Sequence, residues 1–125
     1  NIPVLRMITK PLEEITKDAR SLGRMLKREH LPAQIEVISC ESQIGGGSLP
    51  LERIESMAVA IRPEKISVAE LEDRMRHLPV PIIPRTFNDQ IVLDVRTMER
   101  EDFRVLTDQL EEFQVLEEKS LIVRR

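Results

Sequence analysis

Leu12, Ile15, Ala19, Leu22 and Leu26 recur at steps of three and four, which lines them up along one stripe of a helix. A stripe of that kind needs an apolar surface to cover it, and the following residues supply one. Residues 34–41 alternate and are rich in Ile and Val, the pattern of a strand. A second strand is expected over 56–62, with Met57, Val59 and Ile61 on one face and the small Ala58 and Ala60 on the other. Small residues on one face mark close packing against a helix or another domain, and if the partner is another domain the Ala58 and Ala60 face is expected to form part of an exposed interface. The helix is placed over 12–29, with Thr9 as N-cap, Pro11 in the first turn and Pro32 at the exit. Glu13 and Glu14 suit its positive end.

Further along, Ser67 and Glu70 have capping-box spacing ahead of a short helix whose buried stripe is Val68, Leu71, Met75 and Leu78. Pro79 closes it. Pro79, Pro81 and Pro84 bracket Val80, Ile82 and Ile83, so a strand there is short or at an edge. Asn88-Asp89 is a turn signal, and 90–97 is the clearest strand of all. Ile91, Leu93 and Val95 share one of its faces, and Val92, Asp94 and Arg96 the other. A last helix over 97–118 carries Phe103, Leu106, Leu110 and Phe113, and Leu121, Ile122 and Val123 could add a terminal strand. The order helix, strand, strand, helix, strand, strand, helix predicts an α+β domain. Its small antiparallel or mixed sheet is covered by helices.

The chain has 125 residues, which suits one domain over 1–125. It begins at Asn1 rather than a methionine and reads as a piece of something longer. With no Trp or Tyr and three Phe, its core must be aliphatic. A net charge of −3 argues against this piece being the main grip on a nucleic acid. Arg20, Arg24, Lys27 and Arg28 form a local basic cluster that also fits a solvated helix face. The single Cys40 excludes an internal disulfide, fits a reducing cytoplasm and reads as a buried structural thiol. No apolar stretch reaches the roughly 18–20 residues that cross a membrane.

Self-contained catalysis is hard to find. His30 and His77 have no metal-ligand spacing to each other or to Cys40, and Gly45–Gly47 lacks the Lys of a phosphate loop. Two arginines stand out. Arg85 follows the proline-stiffened segment, and Arg96 ends the best strand with Asp94 two residues before it. That spacing puts the pair side by side, where the carboxylate can orient a guanidinium for carboxylate or phosphate oxygens. An ordinary ion pair at a sheet rim is the alternative.

Several motifs then recur in a familiar order. Ser42-Gln-Ile-Gly-Gly-Gly-Ser-Leu-Pro50 resembles the glycine segment of the bacterial selenocysteine synthase family. Ser56-Met-Ala-Val-Ala-Ile61, Pro79-Val-Pro-Ile-Ile-Pro-Arg85 and Asp89-Gln-Ile-Val-Leu-Asp-Val-Arg-Thr97 are similar to that family's next strand and its two arginine motifs. Ile2-Pro3-Val4 with Met7 matches where the family's domain begins, and the likeness covers residues 2–115. Pro84 departs from the pattern, since the family usually has glycine there.

The resemblance implies the C-terminal small domain of a fold-type-I pyridoxal-phosphate enzyme. Such an enzyme replaces the hydroxyl of serine esterified to tRNA(Sec) with selenium from selenophosphate. It implies a large domain of the same chain carrying the cofactor lysine, a cytoplasmic homo-oligomer, seryl-tRNA(Sec) and selenophosphate as partners, and no membrane. Lys10, Lys17, Lys27, Lys65 and Lys119 stand in no cofactor-lysine motif, so the fragment is expected to be inactive alone and to bind no cofactor. Carried over as substrate or interface candidates are Gly45, Gly46, Gly47, Ser48, Arg85, Asp94 and Arg96. Two other readings stay open. One is a related pyridoxal-phosphate lyase acting on a small amino acid or amino sugar acid; the other is a non-catalytic assembly module.

Overall fold

The computed structural model describes residues 9–29, 31–44, 52–77 and 84–110. Helix α1 (Leu12–Arg28) leads into a long antiparallel pair, β1 (Ala33–Ile44) and β2 (Glu52–Pro63). After α2 (Val68–Arg76) comes the hairpin β3 (Arg85–Phe87) and β4 (Gln90–Asp94), followed by a 3-10 turn over Val95–Thr97. Residues 100–110 are helical and form α3 as far as it is described. The strand order is β1-β2-β4-β3 and every pairing is antiparallel. The expected α+β architecture, a small sheet with helices packed on it, is the one observed.

The stripe on α1 determines this layering. Ile15, Ala19, Leu22 and Leu26 are fully buried, and α1 lies across β1 and β2. They meet Val59 and Ile61 of β2, Ile91 and Leu93 of β4, and Phe103, Leu106 and Leu110 of α3 in one core. Each such side chain contributes about 1.5–3 kcal/mol by leaving water. Helix α1 approaches β1 closely at Gly23, where an added Cβ would lie 3.2 Å from a Val37 methyl. Beside the core, Asp18 is 1% exposed and accepts from Lys10 Nζ at 2.6 Å and Arg100 Nε at 3.2 Å. This doubly paired carboxylate ties α1 to the start of α3.

Several boundaries differ from expectation for identifiable reasons. Thr9 is not the N-cap of α1; that position is Pro11, which has no side-chain acceptor to offer. The Ser67 cap is as expected, its Oγ accepting from Glu70 N–H at 3.1 Å, but the Glu70 carboxylate pairs with Arg74 at 2.7 Å. Strand β1 runs three residues past the expected end, because twelve successive pairings with β2 carry polar Ser42 and Gln43 into the ladder. The strand expected over 90–97 ends at Asp94, whose side chain accepts from Arg96 N–H and turns the chain. Helix α3 therefore starts near residue 100 rather than 97.

Other expectations meet the limits of the described residues. The strand expected at Val80, Ile82 and Ile83 lies outside them, as do Leu78, Phe113 and the terminal strand at 121–123; the described edge strand is β3. Ala58 and Ala60 are 0% and 1% exposed, so the close packing that their size predicts is present, and their reading as part of an exposed interface is overturned.

Among the described residues, positive φ at non-glycine positions is confined to the β3–β4 turn. Asn88 and Asp89 have φ of 51° and 60°, the pair of positive values that a two-residue hairpin of matching twist requires. Asp89→Val should cost about 1–3 kcal/mol in urea denaturation, because a β-branched residue resists positive φ. Asp89→Gly should be neutral or slightly stabilising. Equal stabilities for the two variants would contradict this turn.

Candidate functional site

The sheet has two unlike faces. One carries the core. On the other, cross-strand partners share a side, so Cys40 and Ser42 of β1, Ser56, Ala58 and Ala60 of β2, and Val92 and Asp94 of β4 fall together. The polar members of that set gather around Asp94.

Asp94 Oδ1 accepts from Ser56 Oγ at 2.6 Å and from Arg96 N–H at 3.1 Å, while Ser42 Oγ donates to Oδ2. Ser42 and Ser56 are 0% and 2% exposed, so neither hydroxyl has water as an alternative partner. The carboxylate thus joins β1, β2, β4 and the 3-10 turn. A carboxylate suits this position because charge-assisted hydrogen bonds are roughly twice as strong as neutral ones.

Arg96 takes a different role from the one its spacing predicts. Because it lies in the turn rather than on a strand, its guanidinium does not stand beside Asp94 as a strand neighbour. Nη1 donates to the Lys10 carbonyl and Nη2 to the Glu55 carbonyl, both at 2.6 Å, and the residue is 2% exposed. Asp94 and Arg96 are linked through the backbone amide. The planar fork braces two distant chain segments.

Arg85 is the opposite case. It lies on β3, where all three residues are exposed, directly after the buried Pro84. Its guanidinium reaches Cys40, which is half-buried rather than fully buried. Burial pushes the Cys40 thiol up, the Asp94 carboxylate adds to the rise, and Arg85 and the Ser56 hydroxyl oppose it. A thiol held protonated in this way is a poor nucleophile.

Of the seven residues proposed from sequence, the structure brings Asp94 and Arg96 into one network and sets Arg85 at its rim. Gly45, Gly46, Gly47 and Ser48 lie outside the described residues. Sequence reading missed Ser42 and Ser56 as Asp94's partners. Ser42 stood inside the glycine motif, but no local pattern links it to a residue 52 positions away. Elsewhere, His77 is exposed at the end of α2, its Nδ1 2.7 Å from the Asp73 carbonyl. Among the described residues no group of three or more His, Cys, Asp or Glu could hold a metal ion. No helix there is long and apolar enough to cross a membrane.

A cleft of about 300 Å³ lies between Lys10, Glu14, Arg96, Met98, Glu99, Arg100 and Glu101. Its three cations face three carboxylates, and two of the cations are already held by Asp18. Lys10 is thereby committed, and Lys17, Lys27 and Lys65 are exposed, so none of these lysines has the enclosed setting of a Schiff-base residue.

Two outcomes follow from this geometry. Arg96→Lys should destabilise the chain by about 2 kcal/mol in chemical denaturation, since an ammonium cannot span both carbonyls; a variant as stable as the parent would contradict the brace. Cys40 should react with iodoacetamide at pH 8 more slowly than a free thiol, and Arg85→Ala should slow it further by removing the cation that opposes the rise. Faster alkylation in that variant would contradict the arrangement.

Comparison with known proteins completes the picture. The family model for L-seryl-tRNA selenium transferase matches residues 1–99. A curated L-seryl-tRNA(Sec) selenium transferase of Desulfotalea psychrophila is 38% identical over 113 residues, covering 90% of this chain. Those of Alkaliphilus oremlandii and Clostridium botulinum are 32% and 35% identical over 89% and 87% of it. In each case the chain spans only 24% of the relative's length. With its glycine and arginine motifs in family order and a match running through the Asp94–Arg96 corner, the chain belongs to the L-seryl-tRNA selenium transferase family.

Proposed function

We propose that this chain is the C-terminal small domain of a pyridoxal-phosphate-dependent enzyme that converts seryl-tRNA(Sec) to selenocysteinyl-tRNA(Sec) with selenophosphate. The observation that carries the reading is the 38% identity across 90% of the chain to a protein named for that reaction. The 24% share of that relative's length leaves room for a large domain, and the cofactor lysine belongs there. The described residues do not fit a Schiff-base role: Lys10 is paired with Asp18, and Lys17, Lys27 and Lys65 are exposed. Pyridoxal phosphate supplies the electron sink for loss of the serine hydroxyl when bound to the full enzyme. This domain supplies a rigid sheet whose corner is fixed by Asp94 and Arg96.

In this reading the full protein is a cytoplasmic homo-oligomer, and Arg85, Asp94, Arg96 and the Gly45–Ser48 segment contribute to the substrate side or the domain interface. Arg96 and Asp94 act by bracing, since the carboxylate of Asp94 and both terminal nitrogens of Arg96 bond within the fold. Arg85 is the one of the three exposed to a partner.

The test uses the full-length protein loaded with pyridoxal phosphate, seryl-tRNA(Sec) and radiolabelled selenophosphate. Label should enter the aminoacyl group of the tRNA, and the 125-residue chain alone should give none. A cofactor-loaded protein that ignores seryl-tRNA but eliminates from a free small amino acid would replace this reading with the lyase. A protein that takes up no cofactor would leave an assembly module.

A further inference from the structure

The hairpin β3–β4 carries a surface that the Asp94 network does not use. Phe87 is 66% exposed, far more than Leu12 at 38%, the other large exposed hydrophobic among the described residues. Alternation along β3 puts Arg85 and Phe87 on one face and Thr86 on the other. Phe87 pairs with Gln90, and the β2–β4 register, with Ile61 opposite Ile91, brings Arg62 opposite Gln90. Arg62 accordingly reaches the turn, donating to the Asn88 carbonyl at 3.4 Å. Arg62, Arg85 and Phe87, all exposed, therefore share one side of the sheet.

Beyond Arg62's bond to the Asn88 carbonyl and Arg85's approach to the Cys40 thiol, neither arginine is in an ion pair among the described residues. Asp94, the half-buried acid nearest Arg85's reach, has its oxygens filled by Ser42, Ser56 and Arg96 N–H. Exposed Glu36 and Asp89 make no ion pair with Arg62 or Arg85 among the described residues. The type of turn matters too: two positive-φ residues fit the hairpin to one register, with Phe87 next to the turn that Arg62 reaches.

We propose that Arg62, Arg85 and Phe87 form a contact face for unpaired RNA, with the ring stacking on a base and the guanidiniums meeting flanking phosphates. A flat exposed ring next to cations is the combination that holds single strands without base-edge readout. Charge complementarity favours RNA over an apolar protein surface, which would leave two arginines without partners. The patch is small, as suits an unpaired end rather than a duplex, and agrees with a chain whose net charge of −3 gives it no general affinity for nucleic acid. The inference rests on the tRNA-dependent reading above and names the part of the domain that meets that substrate.

Fluorescence anisotropy on the full-length protein tests it, with a labelled single-stranded RNA tetranucleotide and an RNA hairpin duplex as probes. Phe87→Ala should weaken single-strand binding roughly tenfold, and Phe87→Trp should retain it. Arg85→Ala should weaken it and lower the salt slope by about 0.7. Arg24→Ala, an exposed change on α1, should match the parent. Phe87→Ala and Arg85→Ala both within twofold of the parent would overturn the proposal. So would RNA affinity that stays constant while Phe87→Ala lowers the melting temperature, because the patch would then be an intramolecular contact. Selenium transfer by the unaltered protein is scored separately. An active enzyme with Phe87-independent RNA binding loses only this inference, and an inactive one with Phe87-dependent binding loses only the reaction.

Discussion

Three strands and a turn meet at the Asp94 carboxylate, and the arrangement of the domain depends on that meeting. Its oxygens accept from serines on β1 and β2 and from the amide that opens the 3-10 turn. Without an acceptor there, the buried Ser42 hydroxyl and the Arg96 N–H would lose this partner, each at a cost of about 1–3 kcal/mol, and Ser56 would keep only its 3.4 Å bond to the Met57 carbonyl. Arg96 completes the corner from the other side by holding the carbonyls of Lys10 and Glu55. The Leu-Asp-Val-Arg stretch, which a spacing argument reads as a substrate clamp, is first a structural joint.

This division of labour explains why the two prominent arginines differ. A guanidinium can bind oxyanions only if its donors are unspent. Arg96 turns both terminal nitrogens to main-chain oxygens and is buried. Arg85, two strands away from β2 and behind a buried proline, remains exposed with Cys40 as its neighbour. The same sheet face thus runs from a satisfied interior corner to an open rim, where Arg62 and Phe87 join Arg85.

Much of the fold was legible in the sequence because it is written in local periodicity. The α1 stripe, the Ser67 cap and the Asn88-Asp89 turn each depend on residues within a few positions, and each was found. The Asp94 network was not, because its hydrogen bonds span 52 and 38 positions. The end of β4 was misplaced for a related reason. Alternation continues through Val95 and Arg96, and only the side-chain capping by Asp94 breaks the strand. The small Ala58 and Ala60 face signals close packing, which is found, but small size does not say whether the chain itself or another domain provides it. Recognition of ordered motifs identified the family, while the physical role of those motifs required the structure.

The most direct test of this account is a double-mutant cycle between Ser42 and Asp94, measured by urea denaturation of this chain. Ser42→Ala, Asp94→Asn and the double variant would be compared with the parent. A carboxylate acting as the shared acceptor predicts a coupling of about 1 kcal/mol or more, with the double variant less destabilised than the sum of the single changes. Additive losses, with a coupling under about 0.3 kcal/mol, would mean that the two side chains act independently and that Asp94 is not the joint.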